Sequence, residues 1–87
     1  MKLVWAKQAQ DDLRHWLKTD QRVVSKIESL LQEIGRTPFT GTGKPHPLRE
    51  NWSGYWSRRI NGEHRLIYRI VGDAIEIAQC RWHYGKD

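Results

Sequence analysis

Apolar and polar positions change period once along the chain, dividing it into a helical half and a strand half. Lys2 to Trp5 reads as a short strand. Ala9, Leu13, Trp16 and Leu17 then recur at helical spacing in a polar background, which predicts one amphipathic helix. Thr19 and Asp20 supply N-cap chemistry for a second helix with the apolar stripe Val23, Val24, Ile27, Leu30, Leu31 and Ile34, stopped by Gly35 and Pro38. Arg36 to Ser53 is a long, Pro- and Gly-rich connection for so small a domain, and such loops are functional or disordered. From Gly54 the period becomes two. Tyr55 to Arg59, Glu63 to Val71 and Ala74 to Tyr84 read as a three-strand meander turned at Asn61-Gly62 and Gly72-Asp73.

The first hairpin admits two registers, and one residue of slip exchanges the two faces. A two-residue loop pairs Ile60 with Glu63. A three-residue loop Ile60-Asn61-Gly62, with Gly62 left-handed, pairs Arg59 with Glu63. The second is preferred because it sorts Trp56, Ile60, Leu66, Tyr68 and Ile70 to one face and Ser57, Arg59, Glu63, Arg65 and Arg69 to the other. Arg58 is the misfit and has to snorkel. Odd parity in the last strand adds Gln79, Arg81 and His83 to the cationic side, although Ile75 and Ile77 then lie on that side too. The expected architecture is α+β: two N-terminal helices packed on a small antiparallel sheet, a two-layer sandwich. Residues 1–87 hold one domain, with no repeat or linker.

Charge narrows the partner. Fifteen Lys and Arg against ten Asp and Glu give a net charge of +5, which attracts RNA, DNA, an acidic protein or an anionic surface. No apolar run approaches the roughly 20 residues that span a bilayer, so no membrane anchor is expected. Cys80 stands alone, and Met1 precedes a charged amphipathic stretch, so a reducing cytoplasm is the expected compartment. Both helices spend their apolar faces on a core, which disfavours a DNA-recognition helix.

The residues that can carry chemistry are His46 and Arg49 on the Pro-rich loop, Arg59, Glu63 and Arg65 on the hairpin, and His83 and Tyr84 near the C-terminus. Cleavage of RNA by a neighbouring 2'-OH needs a base, cations for the charge building on phosphorus, and an acid for the departing 5'-oxygen. Imidazole, with an ordinary pKa near 6.5, can perform either proton transfer. Other readings compete residue by residue. A histidine between prolines can be merely exposed, edge arginines can guard against aggregation, and Tyr84 can be a core or dimer aromatic. Trp82 is expected to pack, and His15 and His64 look structural or exposed. Cys80 and His83 have opposite parity, against a zinc pair. Gly41-Thr42-Gly43-Lys44 is followed by Pro45 rather than Ser or Thr and is no phosphate loop. No cofactor or metal is expected.

Six segments in order, MKLVW, RTPF, GTGKPHPL, SGYWSRRI, EHRLIY and CRWHY, resemble the Txe/YoeB family of the RelE toxin superfamily from Met1 to about Tyr84. The resemblance implies a RelE-like, microbial-ribonuclease-like fold and cleavage of messenger RNA in the A site of the 70S ribosome, leaving a 2',3'-cyclic phosphate or its opened form. It also implies a YefM-type antitoxin and a homodimer. By position, Arg65 matches the family's phosphate-stabilising arginine, His83 its proposed general acid and Tyr84 its substrate-placing aromatic, with Arg59 and Glu63 as further polar site residues. One position departs. The family motif Lys-Pro-Glu-Pro, whose glutamate is the proposed base, reads Lys44-Pro45-His46-Pro47 here. Histidine can still accept the proton but becomes cationic below neutrality, so activity is expected to fall in acid. Arg49 stands for the usual lysine and keeps the charge. The alternative is a catalytically weakened module that binds RNA or antitoxin.

Overall fold

The computed structural model describes residues 1–83. Strand β1 (Lys2–Trp5) leads into helix α1 (Lys7–Thr19) and helix α2 (Gln21–Arg36). A two-residue strand β2 (His46–Pro47) and a 3-10 turn (Glu50–Trp52) follow within the long connection, and β3 (Trp56–Arg59), β4 (Arg65–Val71) and β5 (Ala74–Gln79) complete the chain. The sheet order is β1-β5-β4-β3-β2. Two helices on a sheet is the architecture expected, but the sheet is mixed, because β1 runs parallel to β5 with Lys2 opposite Ala74. A pairing between the two ends of the chain leaves no local signal in the sequence.

Asp20 caps α2, its carboxylate accepting from the Arg22 backbone N–H at 3.0 Å. Thr19 instead closes α1, donating its hydroxyl to the His15 carbonyl. The α2 stripe Val23, Val24, Ile27, Leu30, Leu31 and Ile34 is buried against Ala9, Trp16, Ile60, Leu66, Tyr68, Ile75, Ile77 and Cys80. This core lies on one side of the sheet, which leaves the other side for chemistry.

The hairpin register is neither of those weighed from sequence. Arg59 pairs with Arg65 and Trp56 with Tyr68, with Ile60 donating its N–H to the His64 carbonyl. The Asn61 side chain closes the turn by accepting from the backbone N–H groups of Glu63 and His64, each at 2.9 Å. That side-chain closure replaces the expected left-handed Gly62, which is not among the positive-φ glycines. Because the shift from the preferred register is two residues, the sorting of faces survives; Glu63, however, lies exposed in the turn rather than opposite Arg59.

A bulge resolves the parity conflict in β5. Tyr68 pairs with Ile77 but Ile67 pairs with Gln79, so Ala78 is the extra residue. Ile75 and Ile77 therefore face the core, while Gln79 joins Ser57 and Ile67 on the opposite side.

Candidate active site

Arg58, expected to snorkel, is instead fully buried and ties down the connection that carries His46. Its Nη2 donates to the carbonyls of Thr37 (2.6 Å) and Thr40 (2.8 Å), and its Nη1 to that of Thr42 (3.1 Å). Its Nε donates to the Tyr68 hydroxyl at 3.1 Å, and that hydroxyl donates onward to the Pro38 carbonyl at 2.7 Å. Burial raises the Tyr68 pKa and keeps this proton in place. Glu33 completes the tie, accepting from the Thr42 N–H at 3.0 Å and lying 3.6 Å from Arg58 Nη1. The Thr42 hydrogen bonds, then the charges of Arg58 and Arg36, hold the Glu33 carboxyl below its ordinary value. Polar carbonyls of a loop thus find a buried cation, as a buried charge requires.

Beyond the tie, Gly43 adopts φ +88°, and its carbonyl accepts from the Arg59 N–H at 2.7 Å. A Cβ there would stand 3.1 Å from the Arg59 carbonyl oxygen, so only glycine lets the loop approach β3 this closely. The chain then enters β2, where His46 pairs with Ser57. Its Nδ1 lies 3.3 Å from the Lys44 carbonyl.

The register places His46, Ser57, Ile67 and Gln79 in one row across β2, β3, β4 and β5 on the side away from the helices. Arg59 and Arg65 form the adjacent row, two residues on and so roughly 7 Å along the strands. Arg65 is buried, with Nη1 donating to the carbonyls of Asn61 (2.8 Å), His64 (3.1 Å) and Gly62 (3.3 Å). These bonds fix its guanidinium beside the turn, whereas Arg59 is exposed.

Beyond the end of β5, the backbone of His83 is tied back to Gln79, the last residue of the first row. The Gln79 amide donates to the His83 carbonyl at 3.2 Å and to that of Arg81 at 3.4 Å. Farther back, Asp12 and Trp16 of α1 grip Cys80: the Asp12 carboxylate accepts its N–H and the Trp16 indole donates to its carbonyl, both at 2.9 Å. Burial, reinforced by the nearby Asp12 charge, pushes the Cys80 thiol up to about 12, which removes it as a nucleophile or metal ligand at neutral pH. Among the described residues no three His, Cys, Asp or Glu side chains converge as metal ligands.

The sheet thus places His46, Arg59 and Arg65 in two neighbouring rows with Ser57 and Ile67, and the Gln79 amide ties the His83 backbone to the end of the first row. It does not bring Arg49 into these rows: Arg49 follows β2 at the ladder's other end, where Leu48 bonds to Tyr55. Glu63 stays exposed in the turn, and Tyr84 lies outside the described residues. Trp82 is 54% exposed rather than packed in the core. His64, by contrast, is buried, and its Nδ1 accepts the Trp82 N–H at 2.7 Å. The apolar periodicity passes over it because a histidine on a core-facing parity carries no signal of what its ring nitrogen bonds.

A family model of YoeB-like toxins of bacterial type II toxin–antitoxin systems matches residues 5–84. Toxin YoeB of Escherichia coli strain K12 is 52% identical over 84 residues, which cover 97% of this chain and 100% of that protein. The structure of a YoeB/ParE toxin from Agrobacterium tumefaciens is 51% identical with a TM-score of 0.93, covering 97% of this chain and 100% of its own. Two Staphylococcus aureus structures, a heterotetrameric YoeB-YefM complex (TM-score 0.90) and a YoeB dimer (0.91), are each 41% identical and cover 97% of this chain and 98% of theirs.

Proposed function

The chain belongs to the YoeB-like toxin family of bacterial type II toxin–antitoxin systems, and on that premise we propose that residues 1–87 form one toxin domain that cuts messenger RNA in the ribosomal A site. The observation that supports this reading is the pair of neighbouring rows that puts His46, Arg59 and Arg65 on the sheet side away from the helices, with the His83 backbone tied to Gln79 at their end.

In the proposed reaction His46 takes the proton of the 2'-OH, whose oxygen attacks the adjacent phosphorus. Negative charge grows on the non-bridging oxygens, where Arg65, held in place by the turn carbonyls, meets it without having to reorganise. The bond from phosphorus to the 5'-oxygen breaks as His83 delivers its proton there, leaving a 2',3'-cyclic phosphate and a free 5'-OH. Exposed Arg59 and Arg49 contact flanking phosphates, as does the net charge of +5 at longer range. Glu63 orients the Arg59 side of the substrate, and Tyr84, by its matched position, supports the base. The reaction takes no metal and no cofactor.

Its setting is the cytoplasm, where ribosomes are, and no helix among the described residues is long and apolar enough to cross a membrane. A YefM-type antitoxin binds and neutralises the toxin, and two toxin chains pair; the Staphylococcus aureus structures, described as a YoeB-YefM complex and a YoeB dimer, support both associations. Exposed Leu3, Val4 and Leu17 leave apolar surface for such protein partners.

Growth tests the proposal. Induction of the chain alone is expected to arrest a bacterial host, and co-expression of a YefM-type antitoxin or the exposed-site change His83→Ala to restore growth. A host that grows normally at high levels of the wild-type chain refutes it in favour of a weakened binding module.

A further inference from the structure

Trp82 has φ +64°, a left-handed backbone that residues other than glycine rarely adopt. Such a conformation persists only where its surroundings over-determine it. Two adjacent residues do so. The His64 Nδ1 accepts the Trp82 N–H at 2.7 Å, and the Arg65 backbone N–H donates to the Trp82 carbonyl at 3.1 Å. The His64 ring is itself wedged edge-on against Trp16, with centroids 4.7 Å apart, and tilted against the Trp82 ring at 5.0 Å.

We propose that His64 is a positioning residue that sets where His83 stands relative to Arg65, by holding the backbone of Trp82. This rests on the reading of His83 as the acid and Arg65 as the phosphate clamp. The residue that precedes His83 hangs on the His64 ring through its N–H and on the Arg65 backbone N–H through its carbonyl, so one pair of adjacent residues fixes the two groups together. The wedge of Trp16 and the grip of Asp12 on Cys80 fasten that arrangement to α1.

The bond requires His64 neutral, with its proton on Nε2, because a protonated ring would present N–H to the Trp82 N–H. Its surroundings oppose protonation, chiefly through burial, with the charges of Arg81, His15 and Arg65 acting the same way and Glu63 against them. Those four side chains come from α1, the hairpin turn, the start of β4 and the C-terminal segment. Acid should therefore release Trp82 and let His83 move away from the clamp.

The experiment compares wild type with His64→Leu, which fills space without an acceptor, and His64→Asn, whose side-chain oxygen can replace Nδ1. Single-turnover cleavage on programmed ribosomes is measured at saturating toxin, with the folded fraction and ribosome affinity of each protein. The Leu variant is expected to bind ribosomes normally but cleave about 10- to 100-fold more slowly, the cost of a misplacement near 1 Å, and the Asn variant to recover most of the rate. In nitrogen-edited NMR of the wild-type chain, the Trp82 amide and the His83 ring should shift together with His64 protonation. A Leu variant as fast as wild type, an Asn variant no better than Leu at equal folded fraction, or a Trp82 amide indifferent to His64 titration overturns the role. If wild type itself does not cleave, the nuclease reading falls, and the NMR result alone decides whether His64 sets the position of His83.

Discussion

Replacing Arg58 with methionine keeps most of the side-chain volume and removes one buried cation that bonds four oxygen atoms: three loop carbonyls and the Tyr68 hydroxyl. Hydrogen bonds to a charged group contribute about 1.5–3 kcal/mol each. They do not simply add here, because the carbonyls of Thr37, Thr40 and Thr42 can turn to water once the connection lifts. Removing one member of a buried charged network costs about 3–5 kcal/mol in total, and this is the loss expected for Arg58→Met. Tyr68→Phe deletes one donor and one acceptor in the same network and should cost only about 1–3 kcal/mol. Since a small domain has roughly 5–15 kcal/mol to lose, both proteins remain measurable. Urea unfolding followed by tryptophan fluorescence gives the values. Arg58→Met should also loosen the connection ahead of β2, seen as faster backbone amide exchange at Thr42 and Arg59, whose N–H groups bond Glu33 and the Gly43 carbonyl. A loss below about 1 kcal/mol for Arg58→Met, with exchange unchanged, would refute the idea that this arginine holds the connection.

Two further expectations concern titration. Burial holds the His64 pKa below its ordinary value, so between about 6.5 and that lower value the unfolded chain binds a proton that the folded chain refuses, and stability must fall as pH drops through this window. His64→Asn should flatten that decline in urea midpoints between about pH 7 and pH 5; an identical decline in both proteins argues against it. Cys80, with its thiol pushed up to about 12 and no exposed surface, should react with iodoacetamide at pH 8 only as fast as the protein opens. Modification of the folded chain at the rate of free cysteine contradicts this.

Periodicity reached the helices, their shared core and the sorting of Trp56, Leu66, Tyr68 and Ile70 from Ser57, Arg59, Arg65 and Arg69 in β3 and β4, because burial on one side of a sheet imposes a period of two. It missed what depends on pairing across distance: the parallel β1 edge, the Ala78 bulge that reconciles Ile77 with Gln79, and the two-residue offset that moved Glu63 into the turn. The candidate site was legible as residue types, and by strand parity for Arg59 and Arg65; His46 was expected on a loop rather than in β2, and because β5 ends at Gln79 after its bulge, parity does not carry through to His83. The supports of the site were not legible, since Arg58 and His64 stand on core-facing positions where hydrophobicity marks them as exceptions without showing their partners. Three loop carbonyls and one backbone N–H, invisible to any pattern of side chains, explain both.

The most direct measurement maps RNA ends after the purified chain acts on one message, translated and untranslated, beside His46→Ala and His46→Glu. Wild type is expected to cut the translated message within the A-site codon, leaving a 2',3'-cyclic phosphate, with His46→Ala strongly slowed and His46→Glu, which keeps a proton acceptor at this position, still active. Cutting by His46→Ala at the wild-type rate would remove His46 as the base, and no cut in the translated message by wild type would contradict the nuclease itself.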